Sequence, residues 1–451
     1  LFKMKEGATP AGIIKAVISC CALAFSIISI MGLIANEQTQ LSQDVHPALA
    51  YFVIWGAILW LTMVEGGQGS LVGLAPVDKE LYKDSHPIAY QCTSVTNTGD
   101  NLDRYLLGRQ LMVVIIVFLV NISGGPKDAD LWGYPKVVQD IFFEYSLAMI
   151  LFTCMVGQLN SQVNASLCMI DYINNYFAVF TLWVAMAIEF SGLIHASYLF
   201  NFLVAFMSGK EIESNEEERS LPMKVFFWIR CLGSLTILIL CFYVTLAALF
   251  EGKTTVWGGI PKWLSVIVFF FLMSVVGMLE GMQIAFFAVS RIPEDERGNN
   301  LFAKKTCEIL FFGESHNLSG FMIGRQLCVV SCMFFIARVT TVDVEEGSGF
   351  LGASDGLIVL FKTGFLGALI TTIVGSIAWQ LVASAFPLAF MRSPFTYILL
   401  VICLAFEATG INSGAWVLAA IHKKFAGFQR DEVYIGTAEE RAAKSKSEVE
   451  P

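Results

Sequence analysis

Long apolar runs dominate this chain, and several exceed the roughly 20 residues that carry a helix across a bilayer. Inside lipid every backbone N–H and C=O has to be bonded within the segment, so such runs restrict the chain to an all-α, polytopic membrane protein. Of its 451 residues, 56% are hydrophobic and only 15% charged. Ten spans are expected at about 11–35, 47–75, 105–122, 141–163, 174–206, 225–250, 261–290, 321–340, 358–384 and 395–422. The run after Ala11 has Lys15 at its start and no small-residue cleavage site, so it reads as a first span rather than a signal peptide. The net charge of −9 comes mainly from acidic loops and the tail and argues against nucleic-acid binding. The 11 cysteines are scattered, mostly within apolar runs, without metal-like spacing. They read as small buried hydrophobes.

Ionisable residues inside such runs cost roughly 2.5–3.5 kcal/mol each on insertion scales, so they mark a site or a pathway. Here they recur as words. Glu65-Gly66-Gly67-Gln68 is matched by Glu280-Gly281-Met282-Gln283, and Gly108-Arg109-Gln110 by Gly324-Arg325-Gln326. The offset is 215 for Glu65 and Glu280, and 216 for Gly108 and Gly324. It is 218 for Gln162 and Gln380, and again for Glu189 and Glu407. The chain is therefore one unit written twice: a first repeat over 1–209, an acidic inter-repeat loop over 210–224, a second repeat over 225–424 and a short polar tail over 425–451. With five spans in each repeat, the second would enter the membrane from the opposite side, as inverted repeats do in many transporters. Both termini are expected in the cytoplasm, where Lys and Arg are slightly more numerous. From Arg430 onward the tail reads as a solvated helix or disordered end.

Glu65 and Gln68 share a face if their helix is continuous. The intervening Gly66-Gly67 costs on the order of 1 kcal/mol per glycine relative to alanine and invites a break, which would free carbonyls for a cation or a hydroxylated solute. Glu65 and Glu280 would then lie near the bilayer midplane, staggered across it. The Gly-Arg-Gln words fall at expected span starts, where unpaired N–H groups and an arginine fork suit oxygen acceptors. Gln162 and Gln380 either line the pathway or act as interhelical glue. The second carboxylate pair, Glu189 and Glu407, has to find partners inside the protein: either it belongs to the pathway or it pairs with Arg109 and Arg325. His195 aligns with Ser413 and reads as a satisfied core or interfacial residue rather than a proton relay. No metalloprotease word, phosphate loop or nucleophile elbow is present, so the chain is not expected to be an enzyme.

These paired words, in a chain of ten expected spans, resemble the diatom silicon transporters over about 11–422. The resemblance implies sodium-coupled symport of orthosilicic acid across the plasma membrane or an internal membrane, with no cofactor beyond sodium as coupling ion. It implicates Glu65, Gly66, Gln68, Gly108, Arg109, Gln110, Glu280, Gly281, Gln283, Gly324, Arg325 and Gln326, with Glu65 and Glu280 as candidate sodium ligands. Four hydroxyls around a compact neutral centre call for acceptors and donors, and glutamate, arginine and glutamine supply both. The residues alone support an inverted-repeat transporter of a small polar solute. A passive channel and a silicic-acid-binding sensor stay open, as does a homo-oligomeric state.

Overall fold

The computed structural model describes residues 9–436 apart from 128–129, 210–213, 217–218, 291, 294–296, 298–299, 346 and 348–349, and the side chains of 313–316. Among the described residues the chain is helical, with only two isolated β-bridges, Thr39 to Pro126 and Thr254 to Val342. Six principal helices form the first half: α1 (Pro10–Ala35), α2 (Pro47–Leu74), α3 (Asn101–Gly124), α4 (Leu147–Ala165), α5 (Tyr176–Phe190) and α6 (Ala196–Ser208). The second half repeats them as α7 (Leu221–Glu251), α8 (Lys262–Ser290), α9 (Phe312–Thr340), α10 (Phe365–Ala385), α11 (Pro394–Thr409) and α12 (Gly414–Ala426). Local chemistry sets their ends. Thr9 caps α1 ahead of Pro10 through a 3.2 Å bond from Gly12 N–H, and Asn175 caps α5 by accepting from Ala178 N–H at 2.9 Å.

The matching extends to irregular features. A π-helical turn interrupts α4 at Thr153–Leu159 and α10 at Thr371–Ile377. Just before each helix stands a left-handed residue, Ser146 in one half and Gly364 in the other.

Side-chain contacts fix the directions of the central helices. In the first half α2 and α3 are antiparallel, since Gly124 lies beside Ile54 and Arg109 reaches Glu65. α4 runs parallel to α2, with Gly157 on Leu61, Ala165 on Gly69 and Met169 on Gly73. In the second half α10 runs parallel to α8 in the same way, with Met273 beside Gly375 and Ala383 beside Gly281. Between halves, α3 and α10 are antiparallel, because Phe118 packs on Gly367 while Gln110 bonds Ser376. α2 and α8 therefore point the same way.

The ends of the bundle agree. Trp257 and Arg338 of the second half both donate to Glu144 of the first at one end. At the other end Arg104 at the start of α3 holds Glu216, just ahead of α7. The halves are thus parallel repeats about an axis running along the bundle, which corrects the inverted arrangement expected from five crossings per half.

The fifth element of each half explains the difference. Among the described residues seven helices are long and apolar enough to cross a membrane, and up to nine crossings result if each bent pair is one span. The pair Lys136–Glu144 and Leu147–Ala165, bent by 50°, links the two ends of the bundle as an eighth crossing. α5 and α6 are separate helices of 15 and 13 residues, and α11 and α12 are bent by 67° at their break. Met169, after α4, lies at the Arg104 end, and α7 starts at that end. The α5–α6 segment therefore leaves and rejoins one end, and each half has an even number of full crossings.

Two further expectations change. The α2 and α8 helices run unbroken through Glu65-Gly66-Gly67-Gln68 and Glu280-Gly281-Met282-Gln283. Their glycines admit neighbours instead: Gly66 lies under the ring of Tyr172 and Gly281 under that of Phe390. The first residues of the tail are docked rather than solvated. The buried Asp431 carboxylate accepts Met169 N–H and Ile170 N–H, each at 2.9 Å, and Ile435 is buried. Residues 437–451, and much of the acidic stretch from Lys210 to Glu218, lie outside the described residues.

Candidate functional site

Glu65 projects from α2 and is 5% exposed, so its charge needs partners within the protein. Arg109 of α3 supplies Nη2 at 3.0 Å to Oε1. From α4, Gln158 donates to Oε1 at 3.3 Å and Gln162 to Oε2 at 3.0 Å. The second half repeats the cluster: Arg325 lies 3.3 Å from Glu280 Oε1, and Gln380 donates to Oε2 at 2.9 Å. Each guanidinium also holds an amide oxygen, Arg109 that of Gln110 at 2.9 Å and Arg325 that of Gln283. Each leaves its Nε–H without a partner.

Two bonds join the clusters across the halves. Gln110 Nε2 donates to Ser376 Oγ at 2.8 Å, and Gln326 Nε2 to Gln158 Oε1 at 2.6 Å. Ser376 and Gln158 are matched positions, so one interaction is made twice, as a two-fold relation demands. A cavity of about 50 Å³ lies between the clusters. Glu65, Gln68, Arg109, Gln110, Gln158 and Gln162 line it from one half, and Glu280, Gln283, Arg325, Gln326 and Gln380 from the other. At about 10–15 Å³ per water-sized group, it has room for about four. A vestibule of about 720 Å³ approaches from the Arg104 end, passing Arg104, Tyr198, Asn201 and Ser384, and reaches Gln380, which lines both spaces.

The structure thus gathers ten of the expected residues around one cavity rather than two staggered sites. The glycines of the words stand behind it as packing positions. Gly108 lies on the carbonyl of Ala185 and Gly324 on that of Cys403, so closely that neither has space for a Cβ. Gly108-Arg109-Gln110 and Gly324-Arg325-Gln326 are well inside α3 and α9, which begin at Asn101 and Phe312. They present side chains, not free helix-end N–H groups.

The second carboxylate pair lies elsewhere. Glu189 is buried and accepts from Tyr198 Oη at 3.0 Å, while Glu407 is exposed. Neither pairs with Arg109 or Arg325, because Glu65 and Glu280 hold those guanidinium groups. His195 is 1% exposed, 3.6 Å from Glu189, with neither ring nitrogen in a hydrogen bond, so it is not the satisfied core residue expected. The bridging roles of Gln158 and Ser376 were missed. Their matched spacing in the fourth segment of each half was the available signal.

Glu65 and Glu280, the carboxylates offered to sodium, each already hold a guanidinium. Among the described residues no group of three or more His, Cys, Asp or Glu side chains gathers to hold a metal.

No curated protein and no solved structure matches the chain. A family model described as silicon transporter matches residues 7–450, essentially the whole chain. A membrane bundle whose buried polar groups converge on one small cavity agrees with that match, and the chain belongs to the silicon transporter family, whose members move silicic acid and are not enzymes.

Proposed function

We propose that this chain carries orthosilicic acid by sodium symport, with the cavity between Glu65 and Glu280 as the solute site, in the plasma membrane or an internal membrane. Residues 1–209 and 225–424 act as two pseudo-equivalent units, each giving the cavity one carboxylate, one arginine and its glutamines. The observation that carries this reading is the pair of buried Glu–Arg clusters, each with an unpartnered Arg Nε–H, facing a space for about four water-sized groups. Orthosilicic acid presents four hydroxyls, each both donor and acceptor. Carboxylate and amide oxygens accept from it, while guanidinium and amide N–H groups donate to it.

Sodium fits this chemistry as a competitor. A cation at Glu65 or Glu280 displaces the guanidinium from the carboxylate, and the freed Arg109 or Arg325 turns its donors to the solute. Each ligand then favours the arrangement that the other needs, and this reciprocity is the thermodynamic content of coupling.

The deciding measurement is silicic acid uptake into proteoliposomes under imposed sodium gradients. Uptake that follows the gradient and accumulates solute against its own gradient is expected. Uptake indifferent to sodium would make the protein a channel, and binding without flux would make it a sensor.

A further inference from the structure

Below the polar clusters the cavity wall changes chemistry. Its floor is made by Val113 of α3 and by Val329 and Met333 of α9, all buried. Val113 and Val329 are matched positions, each three residues beyond the glutamine of a Gly-Arg-Gln word. About one further turn toward the Glu144 end, Val117 and Phe118 of α3 and Phe334 of α9 are no more than 2% exposed. The ring of Phe118 rests against Gly364 and Gly367 of the other half, so α3 closes this layer against α10.

The opposite side of the cavity is approached through the wide vestibule at the Arg104 end, and Gln380 belongs to both spaces. The cavity is therefore reached from one end of the bundle and shut toward the other by apolar side chains. We infer that this seam between α3 and α9 is the gate of the pathway, with Val113, Val329 and Met333 as its upper layer and Val117 next beneath. The inference rests on reading the central cavity as the solute site.

The chemistry of such a barrier is selective. A solute with four hydroxyls entering the closed seam loses its hydrogen bonds and gains none, so it waits until α3 and α9 part. A narrow apolar constriction also excludes water and ions when shut, which keeps a gradient from leaking through a carrier at rest. Because the seam lies on the pseudo-two-fold axis, both halves contribute to it, and opening needs only a small outward movement of each.

The test uses the whole chain in proteoliposomes, with glycerol as a small neutral polyol read by vesicle swelling. Val113→Ala combined with Val329→Ala, and separately Met333→Ala, should raise glycerol permeability about ten-fold over the parent by thinning the barrier. Val117→Trp should cut silicic acid uptake about ten-fold by blocking the path, while silicic acid binding to the solubilised protein stays within about two-fold of the parent. The single change Val329→Ala serves if the double variant fails to fold. Parental glycerol permeability in the folded alanine variants, or full uptake with Val117→Trp, would overturn the gate. A glycerol leak in the alanine variants of a parent that moves no silicic acid would keep the gate and remove the solute assignment.

Discussion

Replacing Glu65 by glutamine keeps the shape of the side chain but leaves the Arg109 guanidinium buried without its counter-charge. Breaking a buried pair from one side costs about 3–5 kcal/mol, whereas removing both charges is far milder. Glu65→Gln should therefore lower the unfolding midpoint of the solubilised protein, and Glu65→Gln with Arg109→Gln should recover most of the loss. Glu280→Gln, and Glu280→Gln with Arg325→Gln, should behave alike. All four should depress sodium-dependent uptake, so the rescue separates stability from transport. The glycines give a sharper contrast. Gly108→Ala and Gly324→Ala drive a methyl into the backbone carbonyls of Ala185 and Cys403, which cannot move aside, and folded yield should collapse. Gly67→Ala meets only the Tyr105 hydroxyl at 3.2 Å and should be tolerated, as size-exclusion profiles would show. At this scale the sequence was highly legible, because a carboxylate or guanidinium in an apolar run has to be explained by a partner. Which partner it takes was not legible: Glu65 and Glu189 are both late in apolar runs, and only packing decides that Arg109 lies beside the first.

The elements show where periodicity misleads. Apolar length marked the segment 174–206 as one span, but length does not report that the helix stops at Phe190 and a second one starts at Ala196. The glycine pair suggested a break in α2, yet the helix stays continuous and the irregularity lies in α4 and α10, whose π turns no glycine pair announces. A π turn holds one extra residue in a single widened turn, so the side chains inside it point where a regular α-helix would not carry them. Deleting Val156 should convert the first π turn to α-helix and displace Gln158, which lies inside it. The bond from Gln158 to Glu65 would be lost. The expected result is a folded protein with strongly reduced uptake, and deleting Val374 from the second π turn should do the same through Ser376. Normal uptake in both deletions would make the turns incidental to the site.

For the whole molecule, self-similarity was legible and its symmetry was not. A constant offset says that two units share a fold, but the direction of the second depends on whether each unit crosses an odd or even number of times. That parity turned on the divided pairs α5–α6 and α11–α12. The parallel arrangement makes a direct prediction for cysteines introduced at Ser220, Val433 and Glu345. Ser220 and Val433 are at the Arg104 end, with Glu216 and the docked segment after α12, whereas Glu345 follows α9 at the Glu144 end. An impermeant thiol reagent should label the first two from one side of oriented vesicles and the third from the other. Labelling of Ser220→Cys and Val433→Cys from opposite sides would restore the inverted arrangement.

The halves also exchange their first helices. Ser19 of α1 bonds the Ile411 carbonyl and accepts Gly414 N–H at 2.9 Å, while Ser234 of α7 donates to the Leu193 carbonyl at 2.6 Å and accepts Ala196 N–H at 2.9 Å. For α7 the partner is already made when α7 emerges. For α1 the partner comes 392 residues later in the sequence, in the Ser19 to Ile411 bond. At about 5–20 residues per second of synthesis, α1 waits roughly 20–80 s for the segment that completes its surroundings. During that interval Lys15 and Ser19 have no Ala408 or Ile411 carbonyl to bond. Assembly is therefore ordered in time as well as in space: a chain halted before Ala408 keeps α1 unclasped, and the stretch 408–414 is the one that closes the molecule around it.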